Sequence, residues 1–244
     1  MISVVIPCLN EAAALPALLR ALARESEAHE VIVSDGGSTD ATLAVARAAG
    51  ARVIAAPSGR GAQLAAGTAA ATGEVLWFLH ADSQVAYGAM GAMLRALAVP
   101  GVVGGNFRVL FEADTRFDRF MTWFYGVIRR LGLFYGDSGI FVRRGSYDAI
   151  GGMRALPLME DHEFVRRLRR SGRLVCVRFP PLVTSSRRFQ GRHPAAVMGG
   201  WLAIHVLYAA GASPRLLARL YRSTVKAPGL RRSAPNRIGI DRSR

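Results

Sequence analysis

Short apolar runs alternate with amphipathic stretches through the N-terminal part of the chain. Four of the apolar runs predict strands: Ile2–Ile6, Val31–Val33, Arg52–Ala55 and Val75–Leu79. The predicted helices between and after them are 10–22, starting at Asn10 or Glu11; Ala41–Ala49, capped by Ser38, Thr39 and Asp40; and an Ala-rich helix that follows the turn Ser58–Gly61 and ends at Thr72. Strands that alternate with helices in this way predict an α/β fold with a mainly parallel central sheet and helices on both faces.

The pattern changes after Pro100, where longer strands and helices follow one another. The predicted elements are the strand Val102–Leu110, the aromatic-rich helix Thr115–Leu131, the strand Gly139–Val142, the helix Glu160–Arg170, a final strand Val175–Val177, and helices near Ala195–Ala210 and Pro214–Arg222. We predict one domain over residues 1–222, with a nucleotide-binding half (1–110) and an acceptor half that includes C-terminal helices (111–222). Residues 223–244 are rich in Pro, Gly, Ser and Arg and predict a basic disordered tail.

Composition adds a compartment and a charge asymmetry. The 244 residues are 51% hydrophobic, which is enough to form a core without disulfide bonds or a structural metal ion. Cys8 and Cys176 form no C-x-x-C pair, so we expect a reduced cytoplasmic setting. We expect no signal peptide. Of the 32 basic residues only Lys226 is a lysine, which argues against Schiff-base chemistry. Residues 1–115 carry a net charge of −3 and residues 116–244 carry +18, which gives the total of +15. Such a surplus of Arg in the second half suits phosphate-bearing ligands or an anionic membrane.

Acidic residues follow two of the predicted strands. Asp35 ends an apolar run and precedes Gly36 and Gly37, so its carboxylate could accept a hydrogen bond from a nucleobase while the glycines allow close approach. The alternative is an ordinary turn aspartate. Asp82 follows Trp-Phe-Leu-His-Ala, where a carboxylate suits a divalent cation that bridges a diphosphate, although it could also be part of a helix cap.

Further candidates lie in the second half and in the glycine turn. Asp161, within Met-Glu-Asp-His-Glu, could act as a general base on an acceptor hydroxyl, or the acidic cluster could simply complement the dipole of a helix N-terminus. Arg60, between two glycines, and the pair Arg187 and Arg188 are candidate phosphate contacts. The histidines do not have the sequence spacing of a zinc site, so we expect them to have structural roles or to contact the residues that bind the ligand.

Four motifs, in this order along residues 1–190, resemble the inverting nucleotide-sugar glycosyltransferases of family 2, which have a GT-A type fold. The motifs are Val-Val-Ile-Pro-Cys-Leu-Asn-Glu, Ser-Asp-Gly-Gly-Ser-Thr-Asp, Phe-Leu-His-Ala-Asp and Met-Glu-Asp-His-Glu. The resemblance implies a nucleotide pocket, a metal ligand and a catalytic base, formed by these residues: Pro7, Asn10, Glu11, Asp35 and Gly37 for the nucleotide, His80 and Glu160 beside the donor, Asp82 for Mn²⁺ or Mg²⁺, and Asp161 for the base.

The chain departs from the family pattern at two positions. His80 stands where the first Asp of the D-x-D motif usually lies, and Gly36 stands where a second Asp often follows Asp35, which leaves Asp82 as the single aspartate of its motif. The Q-x-x-R-W signature of processive synthases is absent. The resemblance therefore implies transfer of a single sugar from a UDP- or GDP-linked donor to a hydroxyl acceptor.

Two other functions are compatible with parts of the sequence. A sugar nucleotidyltransferase has a similar α/β layout but usually a Gly-rich basic first loop, which here reads Cys-Leu-Asn-Glu. A basic nucleic-acid or membrane-binding protein without catalysis would explain the charge, but its arginines are scattered and no RNA-stacking motif is present, so no nucleic-acid partner is expected.

The acceptor is the least determined part of the prediction. The stretch 193–214 contains no Asp, Glu, Lys or Arg, and indicates a helix that packs on the domain, lies on a membrane surface or inserts into the membrane. Aromatic residues of the predicted helix 117–131, together with Trp201, Tyr208 and nearby arginines, suggest a lipid-facing surface. We hypothesise peripheral contact with the inner face of the membrane and a lipid-linked acceptor.

Overall fold

One mixed sheet organises the computed structural model, which describes residues 1–112, 115–130, 134–184 and 194–225. Its strands are β1 (Ile2–Cys8), β2 (His29–Asp35), β3 (Arg52–Ala55), β4 (Val75–Phe78), β5 (Val102–Phe111), β6 (Phe141–Arg143) and β7 (Arg173–Thr184). The helices are α1 (Leu15–Leu22), α2 (Thr42–Ala48), α3 (Arg60–Ala70), α4 (Ala89–Leu97), α5 (Arg116–Arg130), α6 (Arg144–Ala149), α7 (Glu160–Ser171), α8 (Pro194–Ala209) and α9 (Pro214–Val225).

The strand order β3-β2-β1-β4-β6-β5-β7 confirms the predicted sheet. Strands β3, β2, β1 and β4 are parallel, β6 is antiparallel to both of its neighbours, and β5 pairs in parallel with β7. Because β1, β2 and β4 run in the same direction, the loops after Cys8, Asp35 and Phe78 leave the sheet at one edge. Ligands of open α/β sheets bind at this edge.

The core has one apolar layer on each face of the sheet, as the alternating pattern predicts. Trp77 of β4 is fully buried against Phe107 and Phe141 on the face covered by α1, α2 and α4. Phe78, its neighbour, points to the other face, where it packs on Phe164 in the layer formed by α3, α6 and α7. Both faces of β4 are therefore excluded from water, which explains its continuous apolar sequence.

Several predicted boundaries differ from the structure near the first loop. Strand β1 continues through Pro7 to Cys8, because β4 pairs with β1 only as far as Val5 and needs no N–H from Pro7. Helix α1 begins at Leu15 and not at Asn10 or Glu11. The backbone of Asn10 has a φ of 57°, a left-handed conformation that cannot start an α-helix.

Other elements are longer than predicted or were not predicted. Helices α4 and α6 were missed, and β7 extends well beyond the predicted 175–177. Helix α9 continues to Val225, past the predicted end of the domain at residue 222, and the remainder of the predicted tail, 226–244, lies outside the described residues.

The C-terminal helices pack over the start of α7 and over α5. Val197 of α8 joins a cluster with Met121 and Tyr125 of α5, while Ile204 of α8 packs with Leu217 of α9 and with Met159. None of the helices in the described part of the chain is both long enough and apolar enough to cross a membrane.

Candidate functional site

The first two loops at the sheet edge are bound to each other by side chains that the sequence motifs predicted as important. The backbone amide of Asn10 donates to Ser38 Oγ at 2.9 Å, and the side-chain Oδ1 of Asn10 accepts from the backbone amide of Thr39 at 2.8 Å. The Glu11 amide donates to Thr42 Oγ1 at 2.8 Å. Residues 38–40 were predicted as a helix cap, but Ser38 and Thr39 instead hold the two loops in register.

Asp35 closes its own loop with its carboxylate. Its Oδ2 accepts hydrogen bonds from the amides of Gly37 at 2.9 Å and Ser38 at 3.0 Å, and Gly37 has a φ of 99° that favours glycine. Burial acts to raise the pKa of Asp35, but the hydrogen bonds from Ser38 and Gly37 outweigh it and hold the pKa below its ordinary value. The carboxylate is therefore ionised and fixed in place.

Gln63 links this region to the start of α3, and the sequence analysis did not identify it. Its buried Nε2 donates to the carbonyl oxygens of Cys8 at 2.7 Å and Ser34 at 2.9 Å. These two residues lie at the ends of β1 and β2, just before the loops. Gln63 lies one helical turn after Arg60. Its polar side chain, one of few in an Ala-rich helix, was the only available signal.

Arg60 joins the start of α3 to the start of α7. Its Nε donates to Glu160 Oε1, and its Nη2 donates to Asp161 Oδ2 at 3.1 Å. Its Nη1 lies 3.3 Å from His80 Nε2, in the loop after β4. Four predicted site residues, from three parts of the chain, are thus brought into one cluster.

The electrostatics of the cluster favour an ionised Asp161. Burial alone would raise the pKa of Asp161, but Arg60 and the amides of Gly136 and His162 outweigh it and lower the pKa below its ordinary value. For Glu160 burial is the stronger influence and raises the pKa, although Arg60 opposes it. The two carboxylates beside one guanidinium are therefore not equivalent.

The third acidic residue of the motif has a different partner. Glu163 is buried and accepts from Arg167 Nε and Nη2, both at 2.7 Å, in a two-point contact, and Arg154 Nη1 lies 3.1 Å from it. Arg167 also donates to the carbonyl of Gly152. Glu163 therefore anchors the segment before α7, so each acid of the motif has a specific partner beyond any effect of the helix dipole.

Asp82 lies two residues after His80 and is half-buried. The following residues do not start a helix: Gln84 forms an isolated bridge with Val183, and α4 begins only at Ala89. The helix-cap alternative for Asp82 is therefore wrong. Arg187 and Arg188, the other predicted phosphate contacts, lie outside the described residues.

A cavity of about 100 Å³ lies beside Asp161, and no residue of the loops after β1 and β2 lines it. Its lining comes from α3, α5, the turn before β6, the start of α7, α8 and α9: Arg60, Tyr125, Tyr135, Asp137, Leu158, Met159, Asp161, Trp201, Ile204, His205 and Tyr221. Of the others, only Tyr125 and Trp201 belong to the stretches for which a lipid-facing surface was hypothesised, and none was predicted as a catalytic or donor-binding residue. Their positions depend on packing between distant elements, which no local motif encodes.

Part of the sequence is similar to known proteins. Two mycobacterial relatives described as uncharacterized glycosyltransferases, from Mycobacterium tuberculosis and Mycobacterium bovis, are 36% identical over 97 residues, which are 39% of this chain and 43% of each relative. The aligned region is thus less than half the length of these relatives.

Solved structures with low sequence identity share the fold. The mannosyltransferase PcManGT of Pyrobaculum calidifontis, solved with GDP-Man and Mn²⁺, superposes with a TM-score of 0.65 at 17% identity, covering 91% of this chain and 69% of that one. Glucosyl-3-phosphoglycerate synthase of Mycobacterium tuberculosis, solved with Mn²⁺, UDP and its product, gives a TM-score of 0.56 at 21% identity, covering 94% and 81%.

The most specific comparison is with family models. Residues 3–156 match the model of glycosyl transferase family 2, a range that includes β1, the Asp35 loop, Arg60 and the strand that leads to Asp82. The match, the GT-A type fold and the edge at which the four motifs converge lead to the same assignment. This chain belongs to glycosyl transferase family 2.

Proposed function

We propose that this glycosyltransferase moves one sugar from a nucleoside-diphosphate sugar to a hydroxyl acceptor with inversion, and that Asp161 is its general base. The observation that carries the proposal is the Arg60 cluster, in which one guanidinium contacts Asp161, Glu160 and the loop that leads to Asp82. This supports a proposal in which the base for the acceptor lies near the loop whose Asp82 would hold a cation for the leaving diphosphate.

The donor lies at the sheet edge in this proposal. Asp35 accepts from the nucleobase, and the joined loops around Pro7, Asn10, Glu11 and Gly37 form the wall of the nucleotide pocket. Arg60 contacts the diphosphate, with Arg187 and Arg188 proposed as additional contacts. The rigid hydrogen bonding of Asp35 supports this role, because a preformed acceptor loses little conformational freedom on binding.

The residues present fit a divalent cation that arrives with the donor. Within the described ranges no group of three His, Cys, Asp or Glu side chains converges as a self-sufficient metal site. Mg²⁺ and Mn²⁺ are commonly held by one or two carboxylates together with substrate phosphates and water, a set that Asp82 can complete. When bound, the cation would offset the negative charge that develops on the leaving diphosphate.

Transfer then requires a single displacement. Asp161 accepts the proton of the acceptor hydroxyl, and the acceptor oxygen forms its bond to the anomeric carbon as the bond from that carbon to the diphosphate oxygen breaks. The electron pair of the broken bond leaves with the diphosphate, whose charge Arg60 stabilises. Attack opposite the leaving group inverts the anomeric centre, and no covalent enzyme intermediate forms.

The cellular setting belongs to the same proposal. A cytoplasmic enzyme that contacts the inner face of the membrane and glycosylates a lipid-linked acceptor would combine the arginine surplus with exposed apolar side chains of the C-terminal helices, such as Leu202 and Val206.

A screen of UDP- and GDP-sugars with Mn²⁺ tests the proposal, with donor hydrolysis and transfer followed separately. We expect Asp161→Asn to lower the rate by about 10²–10⁴-fold, the usual contribution of a general base. Asp82→Ala should weaken the dependence on Mn²⁺. Asp148→Asn, which changes an exposed carboxylate on α6, is the matched control. Full activity of the Asp161 or Asp82 variant would remove that residue from its proposed role.

A further inference from the structure

The cavity beside Asp161 has no assigned ligand, and its shape and lining define what it can bind. Arg60 and Asp161 belong to its lining, whereas the rest of its lining comes from elements that contribute nothing to the loops after β1 and β2. A group bound in it can therefore contact the proposed base without contacting those loops. This is the position that an acceptor requires.

Three pairs of polar side chains in the cavity contact each other. Tyr125 Oη donates to Asp137 Oδ2 at 2.6 Å, and Tyr135 Oη lies 2.8 Å from His205 Nε2. Asp161 is engaged by Arg60. Burial, with Asp161 and Asp137 nearby, raises the pKa of Tyr135 to about 12, so its phenol stays protonated.

This pairing leaves a wall that is mainly apolar and aromatic. Its remaining surface is formed by Leu158, Met159, Trp201, Ile204 and the ring of Tyr221. A sugar or another polyol would bring several hydroxyl groups to this wall and lose their hydrogen bonds to water, at about 1–3 kcal/mol for each unsatisfied group. A phosphate is also disfavoured, because the described lining residues carry the carboxylates of Asp137 and Asp161 against one guanidinium, that of Arg60.

The outer surface of the same helices continues the apolar character. On α8, Leu202 is 66% exposed and Val206 is 57% exposed, and each follows directly after a residue that lines the cavity. On α9, Leu216 and Leu220 are exposed beside Arg215 and Arg219. Apolar side chains interspersed with arginines are complementary to an anionic lipid surface.

We propose that this cavity is the acceptor site and that it receives the hydroxyl end of a lipid alcohol, whose chain leaves along α8 towards a membrane surface. The inference rests on the proposed function, since it takes Asp161 as the base. The hydroxyl group lies at Asp161, and the first methylene groups of the chain contact Trp201, Ile204 and Tyr221.

Binding of linear alcohols from 1-butanol to 1-octanol tests the site without any donor. Trp201 lines the cavity, so its fluorescence reports occupancy. We expect affinity to rise about fourfold for each added methylene group until the chain emerges from the cavity, which is the usual gain for burying a methylene group. Methyl glucoside, a polyol of similar size, should bind more weakly than 1-hexanol.

Matched variants locate the binding. Tyr221→Ser in the cavity should lower the affinity for 1-octanol at least tenfold, and Leu158→Asn provides a second change in the lining that leaves α9 intact. Tyr87→Ser, which changes a tyrosine that is 66% exposed before α4, should bind 1-octanol like the wild type. An affinity that does not vary with chain length, stronger binding of methyl glucoside, or equal losses in the Tyr87 and Tyr221 variants would overturn the proposal.

Transfer assays separate this inference from the proposed function. The acceptor is a C15 alcohol in vesicles of anionic phospholipid, and vesicles without the alcohol serve as the control. Transfer to the alcohol that falls in Tyr221→Ser while donor hydrolysis persists supports the acceptor site. Donor hydrolysis by the wild type without transfer to the alcohol refutes the acceptor site alone. Absence of any donor turnover by the wild type, with alcohol binding retained, refutes the proposed function and leaves a lipid-binding site.

Discussion

Removal of the Arg60 guanidinium should destabilise the fold, independently of any effect on catalysis. Glu160 and Asp161 are 2% and 6% exposed, and Arg60 is the cation that contacts both. Arg60→Ala would leave two adjacent buried carboxylates without this partner. In the variant, the negative charges of these two carboxylates therefore repel each other in a region that is poorly accessible to water.

The expected magnitude follows from burial. Breaking a fully buried ion pair costs about 3–5 kcal/mol, but 31% of the Arg60 side chain is exposed, so water compensates for part of the loss and we expect about 2–3 kcal/mol. In a domain of this size each kcal/mol lowers Tm by about 2–4 °C, which gives a decrease of about 4–12 °C at neutral pH.

The pH dependence has a definite sign. In the wild type the pKa of Asp161 is lowered, so its stabilisation is present above its unfolded pKa of about 3.9 and is lost as pH falls through the folded value. In Arg60→Ala the guanidinium no longer lowers the pKa of either carboxylate while both stay buried, so we expect both pKa values to rise relative to the wild type. Their charged forms then oppose folding at pH 7.5, and protonation relieves this as pH falls, so the difference from the wild type should shrink towards pH 5.

The assay is thermal and urea unfolding of both proteins at pH 7.5 and pH 5. Arg47→Ala, which removes an exposed arginine from α2, is the control and should change stability by less than about 0.5 kcal/mol. A decrease in Tm below about 1 °C for Arg60→Ala at pH 7.5, or an equal decrease at both pH values, would refute the electrostatic account of this cluster.

Three further changes test the packing around the site. Gly105→Ala would place a Cβ 2.1 Å from the carbonyl oxygen of Val175 in the neighbouring strand, so we expect severe destabilisation in urea, whereas Gly126→Ala on α5 has open space and should be neutral or stabilising by up to about 1 kcal/mol. Gln63→Leu removes a buried side-chain donor from the carbonyl oxygens of Ser34 and of Cys8, which also accepts from the Gly36 amide, and should cost about 1–3 kcal/mol in urea unfolding; an unchanged midpoint would show that these bonds are dispensable. Cys8 is buried and its pKa is raised to about 12, first by burial and then by nearby carboxylates, so it should resist iodoacetamide at pH 8 in the folded protein, and rapid alkylation detected by mass spectrometry would contradict this.

Strand β4 could be predicted closely because it is buried on both faces, and it ends one residue before the predicted limit. The predicted strand 52–55 matches β3, an edge strand that is only partly buried. The start of α1 could not be predicted, because it depends on the left-handed backbone of Asn10, which is stabilised by contacts with a loop 28 residues later. Local propensity contains no information about such a partner.

The residues at the sheet edge were also predicted more completely than those that line the cavity. Motifs at the ends of parallel strands meet at one edge by topology alone, so Asp35 and the loop before Asp82 needed no knowledge of packing. The family assignment then distinguishes a glycosyltransferase from the nucleotidyltransferase and from the non-catalytic binding protein. Tyr125, Tyr135 and His205, in contrast, meet only because α8 folds back over α5.

The pairing of Arg60 with Asp161 has a consequence for the proposed mechanism. A carboxylate whose pKa is lowered by a guanidinium is a weaker base than one without that partner, because each unit of pKa reduces its affinity for a proton tenfold. A donor diphosphate would compete with Asp161 for the guanidinium of Arg60. Its binding would therefore weaken the interaction between Arg60 and Asp161 and raise the pKa of Asp161. Donor binding would thus strengthen Asp161 at the moment when an acceptor proton must be removed. The arginine that keeps the buried carboxylates compatible with folding would in this way couple occupancy of the donor site to activation of the acceptor.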